Sequence, residues 1–281
     1  MKIFRLVKHD LQYGTAKQIM TFLFLIAIVL VCINGAYEYF HALHGYNMIE
    51  GYGNFFDYLL YLFQGDMIHE ISLDSRFSIP VYWLGIHLFI ALSVGSYPSE
   101  DLIGYGRMKI LYSGSRLRWL AGKLIWMILH VLTCYMIMYM TVFLFCIIKQ
   151  ADISFTLSAD IWENTRSEIL GLKQSQILEM TILLPILTSV AISVFQNLLA
   201  VIFQPQIGYI FTCCLLILSC YWVCPITLGN YTMWYRNSLI DPEGVGSFTG
   251  CILNITVIIL VFIVLWQYMK KCDILDKKER L

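Results

Sequence analysis

The chain has 281 residues, 59% of them hydrophobic and only 14% charged, with 19 basic and 19 acidic side chains and a formal net charge of zero. A water-soluble core of this size cannot hide so much apolar surface, and a neutral, charge-poor chain lacks the basic surface that nucleic acid requires. These numbers predict an all-α membrane protein, a single transmembrane domain over 1–281, with the bilayer as its solvent.

The first predicted element is an interfacial helix over 1–18. Phe4, Val7 and Leu11 recur at helical spacing with Lys2, Arg5 and Lys8 beside them. That pattern anchors an amphipathic helix in membrane lipid, apolar face down and cations toward the headgroups. A disordered basic leader is the other reading. Six apolar spans follow, at about 19–36, 79–96, 119–147, 180–202, 207–226 and 251–269. Each can cross a ~30 Å hydrocarbon layer at 1.5 Å per residue. The first is too long for the apolar core of a signal peptide, and no clear small-residue cleavage site follows it.

Between spans one and two, 37–78 is expected as an external loop carrying a surface helix at Phe55–Phe63. His41, His44, His69 and Glu70 lie there too, and read as solvated loop residues because a metal site needs more ligands at fixed geometry. Between spans two and three, Pro98-Ser99-Glu100-Asp101 is a helix-start signal, a hydroxyl cap with acids in the first turn. It predicts a cytoplasmic helix over 99–113, ended by Gly114, with Ser115 capping the helix that enters the third span. The fourth and fifth spans are joined by the uncharged Phe203-Gln204-Pro205-Gln206, where Pro205 enforces a break. The fifth closes at Cys224-Pro225, and 227–250 reads as short external helices before the sixth span.

The charge pattern orients the bundle. With the N-terminus inside, all basic residues except Arg76, Lys149, Arg166, Lys173 and Arg236 fall on the cytoplasmic side, so N-in/C-in is expected. Most acids then fall outside. Six of the nine cysteines lie within spans and behave as small hydrophobes; Cys224 and Cys251 share the outer face and are the one pair that could join there. No CxxC, phosphate-loop, HExxH, GxSxG or Rossmann glycine pattern occurs. No Asp or Glu sits at mid-span, where ion-coupled carriers usually keep one. His87 and His130 are the deepest titratable groups; with Gln196, Asn197 and Asn254 they read as interhelical hydrogen bonders, and His87, Gln196 and Asn197 as the candidates for a substrate path.

On these residues the chain resembles the permease subunits of type-2 ABC transporters, mostly bacterial exporters. The resemblance rests on the interfacial helix, on the progression Glu100-Asp101, Gly106-Arg107, Leu111-Tyr112-Ser113, Ser115-Arg116 and Gly122-Lys123, and on 227–250 before the last span. It implies that Glu100, Asp101, Gly104, Arg107 and Lys109 face the cleft of an ATPase through a coupling helix. It implies two ABC ATPase subunits carrying ATP and Mg, no cofactor or catalytic residue in this chain, and a second copy or sister permease. It implies a multi-pass protein of the plasma membrane of a Gram-positive bacterium. Among relatives, exporters of amphipathic peptides fit best, the phenol-soluble modulin exporter permeases included. Aromatic, Met-rich spans suit an apolar helical cargo and acidic outer loops suit a cationic one. A bacteriocin-immunity or drug-efflux permease of the same family is the alternative.

Two further classes stay open at this stage. A membrane-embedded enzyme would draw on His41, His44, Asp57 and Glu70. A self-sufficient carrier or sensor would act without a partner.

Overall fold

The computed structural model describes residues 2–15, 18–46, 48–49, 51–68, 79–95, 97–103, 108, 110 and 115–271. Among them the chain is helical and holds no strand. It begins with the short helix α1 (Lys2–Asp10), which tightens into a π turn over Leu11–Thr15. Helix α2 (Ile19–Gly45) follows. It runs nine residues beyond the expected end at 36, because Ile33, Ala36 and Phe40 continue one buried face at helical spacing through Tyr-, Glu- and His-rich sequence. Residues 37–45 are therefore helix, not loop.

Helix α3 (Phe55–Phe63) starts at a capping box: the Asn54 side chain accepts from the Phe56 and Asp57 amides, and Asp57 accepts from the Asn54 amide. The sequence placed this helix on the membrane surface. It is buried along nearly its whole length instead, as an all-round apolar helix must be when protein surrounds it. Helix α4 (Val81–Gly95) and helix α5 (Tyr97–Ile103) come next, the latter with Pro98 in its first turn. Residues 104–107, 109 and 111–113 of the expected 99–113 helix, and Gly114 after it, lie outside the described residues.

Helix α6 (Arg116–Lys149) is capped by Ser115, whose hydroxyl accepts from the Arg118 amide, as the sequence indicated. The expected loop over 149–179 contains helix α7 (Ala159–Thr165) and a 3₁₀ turn over Ser167–Gly171. Helix α8 (Gln174–Ile202) then enters earlier than the sequence placed the fourth span. A π turn over Glu179–Leu183 precedes Pro185, so the chain loses register where the proline cannot donate. Helix α9 (Pro205–Tyr221) follows the break at Phe203 and Gln204. It lies so close to α8 that a Cβ on Gly208 would stand 2.7 Å from the Gln196 carbonyl oxygen. Tyr221, not Cys224, ends that helix. Two 3₁₀ turns, Leu228–Thr232 and Trp234–Arg236, lead to helix α10 (Ser247–Lys271).

Four helices, α2, α6, α8 and α10, are long and apolar enough to cross a membrane. The other two expected spans are the shorter α4 and α9, of 15 and 17 residues. The six helices pack around a main core that buries Trp126, Trp162 and Trp234, with a smaller apolar cluster around Trp83 beside it. Their outward faces are apolar: Leu23, Phe24 and Val31 on α2, Met136, Met140 and Leu144 on α6, Ile255, Ile259 and Ile263 on α10 are all exposed. An apolar exterior around polar interior contacts is the inverse of a soluble protein and fits a lipid solvent.

The bundle has two ends. One holds α1, α5, the start of α6 and the finish of α10, where Arg116 donates to the carbonyls of Met269 and Lys270. The other holds α3, α7 and the turns before α10. Cys224 and Cys251 are both free thiols, so the pairing left open by the sequence is not present.

Candidate functional site: an ion triad joining three helices

Two turns into α6, Trp119, Lys123, Trp126 and His130 fall on one face at helical spacing, and all four are buried. Lys123 is 1% exposed. A cation so placed needs counter-charge, and the fold brings it from two other elements. The Lys123 Nζ lies 2.8 Å from Asp10 Oδ2 on α1 and 2.8 Å from Asp101 Oδ2 on α5. The ammonium also sits 4.4 Å from the centre of the Tyr97 ring and 5.7 Å from that of Trp119.

Neutral donors complete the site. The Tyr97 hydroxyl donates to Asp10 Oδ1 at 2.9 Å, and Trp119 Nε1 donates to Asp101 Oδ2 at 3.1 Å. His9 adds an imidazole nitrogen 3.7 Å from Asp10 Oδ1. Burial, and after it the Asp10 carboxylate, push the Tyr97 phenol well above its ordinary range, so it stays a neutral donor. Gly14, in the π turn after α1, leaves room for the Tyr97 ring: a Cβ there would come within 2.7 Å of it. The arrangement ties the N-terminal helix and the head of the 97–114 link to a membrane-length helix through one charged atom.

The expected site residues divide sharply. Asp101 is turned inward onto Lys123 and Trp119 and is 9% exposed, rather than displayed at the surface. Glu100 lies on α5, with its side chain outside the described residues, as are Gly104, Arg107 and Lys109 entirely. On α1, Phe4 is 74% exposed, Lys8 is exposed, and Val7 is buried against the bundle, which gives that helix one inward and one outward face. The side chains of Lys2 and Arg5 lie outside the described residues.

His87, Gln196 and Asn197 are all buried between helices. One ring nitrogen of His87 pairs with the Trp83 carbonyl at 2.8 Å, and Gln196 bridges α8 to α4 by donating to the Ala91 carbonyl at 3.0 Å. His87 Nε2, Gln196 Oε1 and Asn197 Oδ1 have no partner among the described residues. On the neighbouring helix pair, Asn254 donates to Thr188 at 2.8 Å.

The opposite end uses different chemistry. Arg236, 1% exposed, is surrounded by carbonyl oxygens: Nη1 donates to Ser219, Nη2 to Cys220 at 2.7 Å, and Nε to Asp66 at 2.9 Å. Asn230 Oδ1 accepts from Nη1 at 2.9 Å. The guanidinium thereby satisfies the last carbonyls of α9, where the helix dipole favours a cation. Asp57, fully buried, accepts from the Asn54 and Ser158 amides, the Ser158 hydroxyl at 2.6 Å and Trp162 Nε1 at 2.7 Å. Burial still wins over these donors and raises its carboxyl above the usual range. Of the other candidates for enzyme chemistry, His44 is paired with the Ile49 carbonyl, His41 stacks on Tyr52, and Glu70 lies outside the described residues. Among the described residues no group of three His, Cys, Asp or Glu side chains could hold a metal.

Sequence reasoning missed Asp10, Lys123 as a buried group, and Arg236. The signals were present. Asp10 is the only acid before Glu38, and Lys123 follows Trp119 by four and precedes Trp126 by three on an apolar helix.

Comparison with known proteins gives one family. The family model described as "Protein of unknown function (DUF2705)" matches residues 42–275, which include Asp101, Lys123 and Arg236 but not Asp10. No curated protein and no solved structure matches the chain.

Proposed function

Starting from the premise that this chain belongs to the DUF2705 family, we propose that it is the membrane-spanning subunit of an ATP-driven exporter. In this reading α2, α4, α6, α8, α9 and α10 are six spans with both termini in the cytoplasm of a bacterial cell. The subunit pairs with a second copy or a sister permease and with two ATPase subunits, which supply ATP and Mg. Its cargo is an amphipathic peptide leaving the cell, or, in the nearest alternative, a bacteriocin or drug removed by an immunity or efflux permease.

The observation that carries the proposal is the Asp10–Lys123–Asp101 triad. A passive gate must receive force from outside the bilayer. The link that begins with α5 is where a partner would push, and the triad couples that link to α6 without an intervening loop. Because Lys123 is shared, a displacement of α5 that weakens one carboxylate contact leaves the other, and α1 moves with the same atom. Two arrangements of one cation between two anions make a bistable joint of the kind a conformational switch requires. The orientation rests on the basic residues around this end.

The test is purification of the tagged chain in mild detergent from its native host. An ATPase subunit should co-elute in near-equal amount, and Glu100→Lys should leave the chain in the membrane while abolishing its effect on that ATPase. If the chain elutes alone and moves solute uphill in vesicles without nucleotide, the proposal fails.

A further inference from the structure

At the end of the bundle opposite the triad, four separate segments converge on a small aromatic pocket of about 200 Å³. Tyr39 and Phe40 come from the last turns of α2, Tyr61 and Gln64 from the end of α3, Trp162 from α7, and Tyr235 from the turns before α10. Five aromatic rings therefore wall one space, and among the described residues no charged side chain lines it.

The walls are held from behind. Trp162 Nε1 is fixed by Asp57, the Tyr235 amide donates to the Gln64 carbonyl at 3.3 Å, and Phe40 meets Tyr61 edge-on with centroids 6.1 Å apart. Tyr39 stands 6.4 Å from Tyr61 and is 40% exposed, so it forms the mouth. The site is preformed, and a ligand entering it loses little to reorganisation.

The chemistry of the lining selects the ligand. The negative faces of aromatic rings attract cations, and the interaction strengthens when water is excluded. The polar groups of the lining are the hydroxyls of Tyr39, Tyr61, Tyr235 and Thr165 and the Gln64 amide; Thr165 already donates to the Ile161 carbonyl and Trp162 Nε1 to Asp57. The Asp66 carboxylate, two residues past Gln64, brings negative charge within electrostatic reach of the Tyr235 ring. One wall already receives a cation, since the Arg166 guanidinium lies 5.4 Å from the centre of the Tyr235 ring. The volume is below the ~300 Å³ of a drug-sized site, which suits a group of only a few heavy atoms.

We infer that this pocket binds a small organic ammonium group, with the quaternary ammonium of choline as the type ligand, its charge held against the ring faces and its methyl groups filling the space. The inference stands apart from the proposed transport role. The group can arrive as a free solute or as a lipid headgroup.

The test is calorimetric titration of the full chain in nanodiscs of anionic lipid, with choline and with its uncharged isostere 3,3-dimethylbutan-1-ol. Choline should bind roughly 5- to 30-fold more tightly than the isostere, the range a desolvated cation–π contact supplies. Tyr39→Leu should weaken choline about fivefold or more while Tyr39→Phe stays within about twofold, because only the ring matters. Loss of the choline signal in phosphatidylcholine nanodiscs but not in anionic ones would support the site and assign it to headgroups; an unchanged signal in both would support it for the free solute. Equal affinity for choline and the isostere, absence of any choline binding to the parent chain, or full retention in Tyr39→Leu would each overturn the inference.

Discussion

Among the described residues, the two ends of this bundle bury one cation each, and they neutralise it in different ways. At the end with the chain's N-terminal helix, Lys123 is met by two carboxylates from two separate elements. At the other, among the described residues, Arg236 donates to backbone carbonyls and the Asn230 side chain, with the Asp66 carboxylate acting on it electrostatically. A guanidinium's fixed fork suits several carbonyls at set angles and locks them; a lysine's compact charge on a flexible stem can be shared and shifted between partners. The carbonyl cap is a plug that fixes the end of α9, while the ion triad is a joint that ties α1, α5 and α6 through one cation shared by two anions. That contrast is why the triad, and not the more extensively bonded Arg236, is the candidate for transmitting motion.

Breaking the joint should have the largest effect. Lys123→Met leaves Asp10 and Asp101 facing each other in a buried site, and should destabilise the protein by about 3–5 kcal/mol. Thermal unfolding in detergent would measure this, and the triple change with Asp10→Asn and Asp101→Asn should recover much of the loss, since a neutral site no longer carries uncompensated charge. Failure of the triple variant to recover would mean that the triad is not an electrostatic unit.

Next in size is the plug. Arg236→Gln removes charge-assisted bonds from the last carbonyls of α9 and should cost about 2–3 kcal/mol. The contrast sharpens in hydrogen exchange: the loss should stay local to the 219–236 region, whereas Lys123→Met should loosen α1, α5 and the start of α6 together. Equal spread of both effects would erase the distinction between plug and joint.

Asp57 offers a third comparison, an anion at the Arg236 end held by neutral donors alone. Its carboxyl is raised by burial, so the folded state holds the proton more tightly than the unfolded one. The contribution is therefore fully present below the ordinary carboxylate value and is lost as pH rises through the raised one, at up to about 1.4 kcal/mol per pH unit. A melting-temperature profile across mildly acidic pH should show this decline, and Asp57→Asn should flatten it. A profile identical in the two proteins would contradict the assignment.

The smallest change tests the neutral support of the triad. Tyr97→Phe removes the hydroxyl that donates to Asp10 and keeps the ring over Lys123, and should cost about 1 kcal/mol. Tyr97→Leu, which removes the ring as well, should cost measurably more in the same melting assay.

Much of the fold was legible because it follows from local rules. Long apolar runs gave the six helices, Ser115 announced the start of α6, and Pro205 announced the break before α9. Errors came where a polar stretch kept helical register. Residues 37–45 look like loop by composition, yet Ala36 and Phe40 extend the buried stripe of α2. Phe55–Phe63 looked like a surface helix because it is too short to span, but length says nothing about what lies around a helix. At the site, Asp101 was legible as a helix-start acid and not as a counter-ion. Its role there depends on Lys123, 22 residues away, and on Asp10, 91 residues away, and no local signal records such distances.

By itself the sequence determined the solvent, the helices and where charge accumulates, since each follows from side-chain transfer energies and backbone periodicity within a short window. Only the tertiary structure decided which charges would be buried and with whom. Lys123 became half of a joint and Arg236 a plug because packing brought acids to one and carbonyl oxygens to the other, and a buried charge takes its meaning from the partners that replace its lost water.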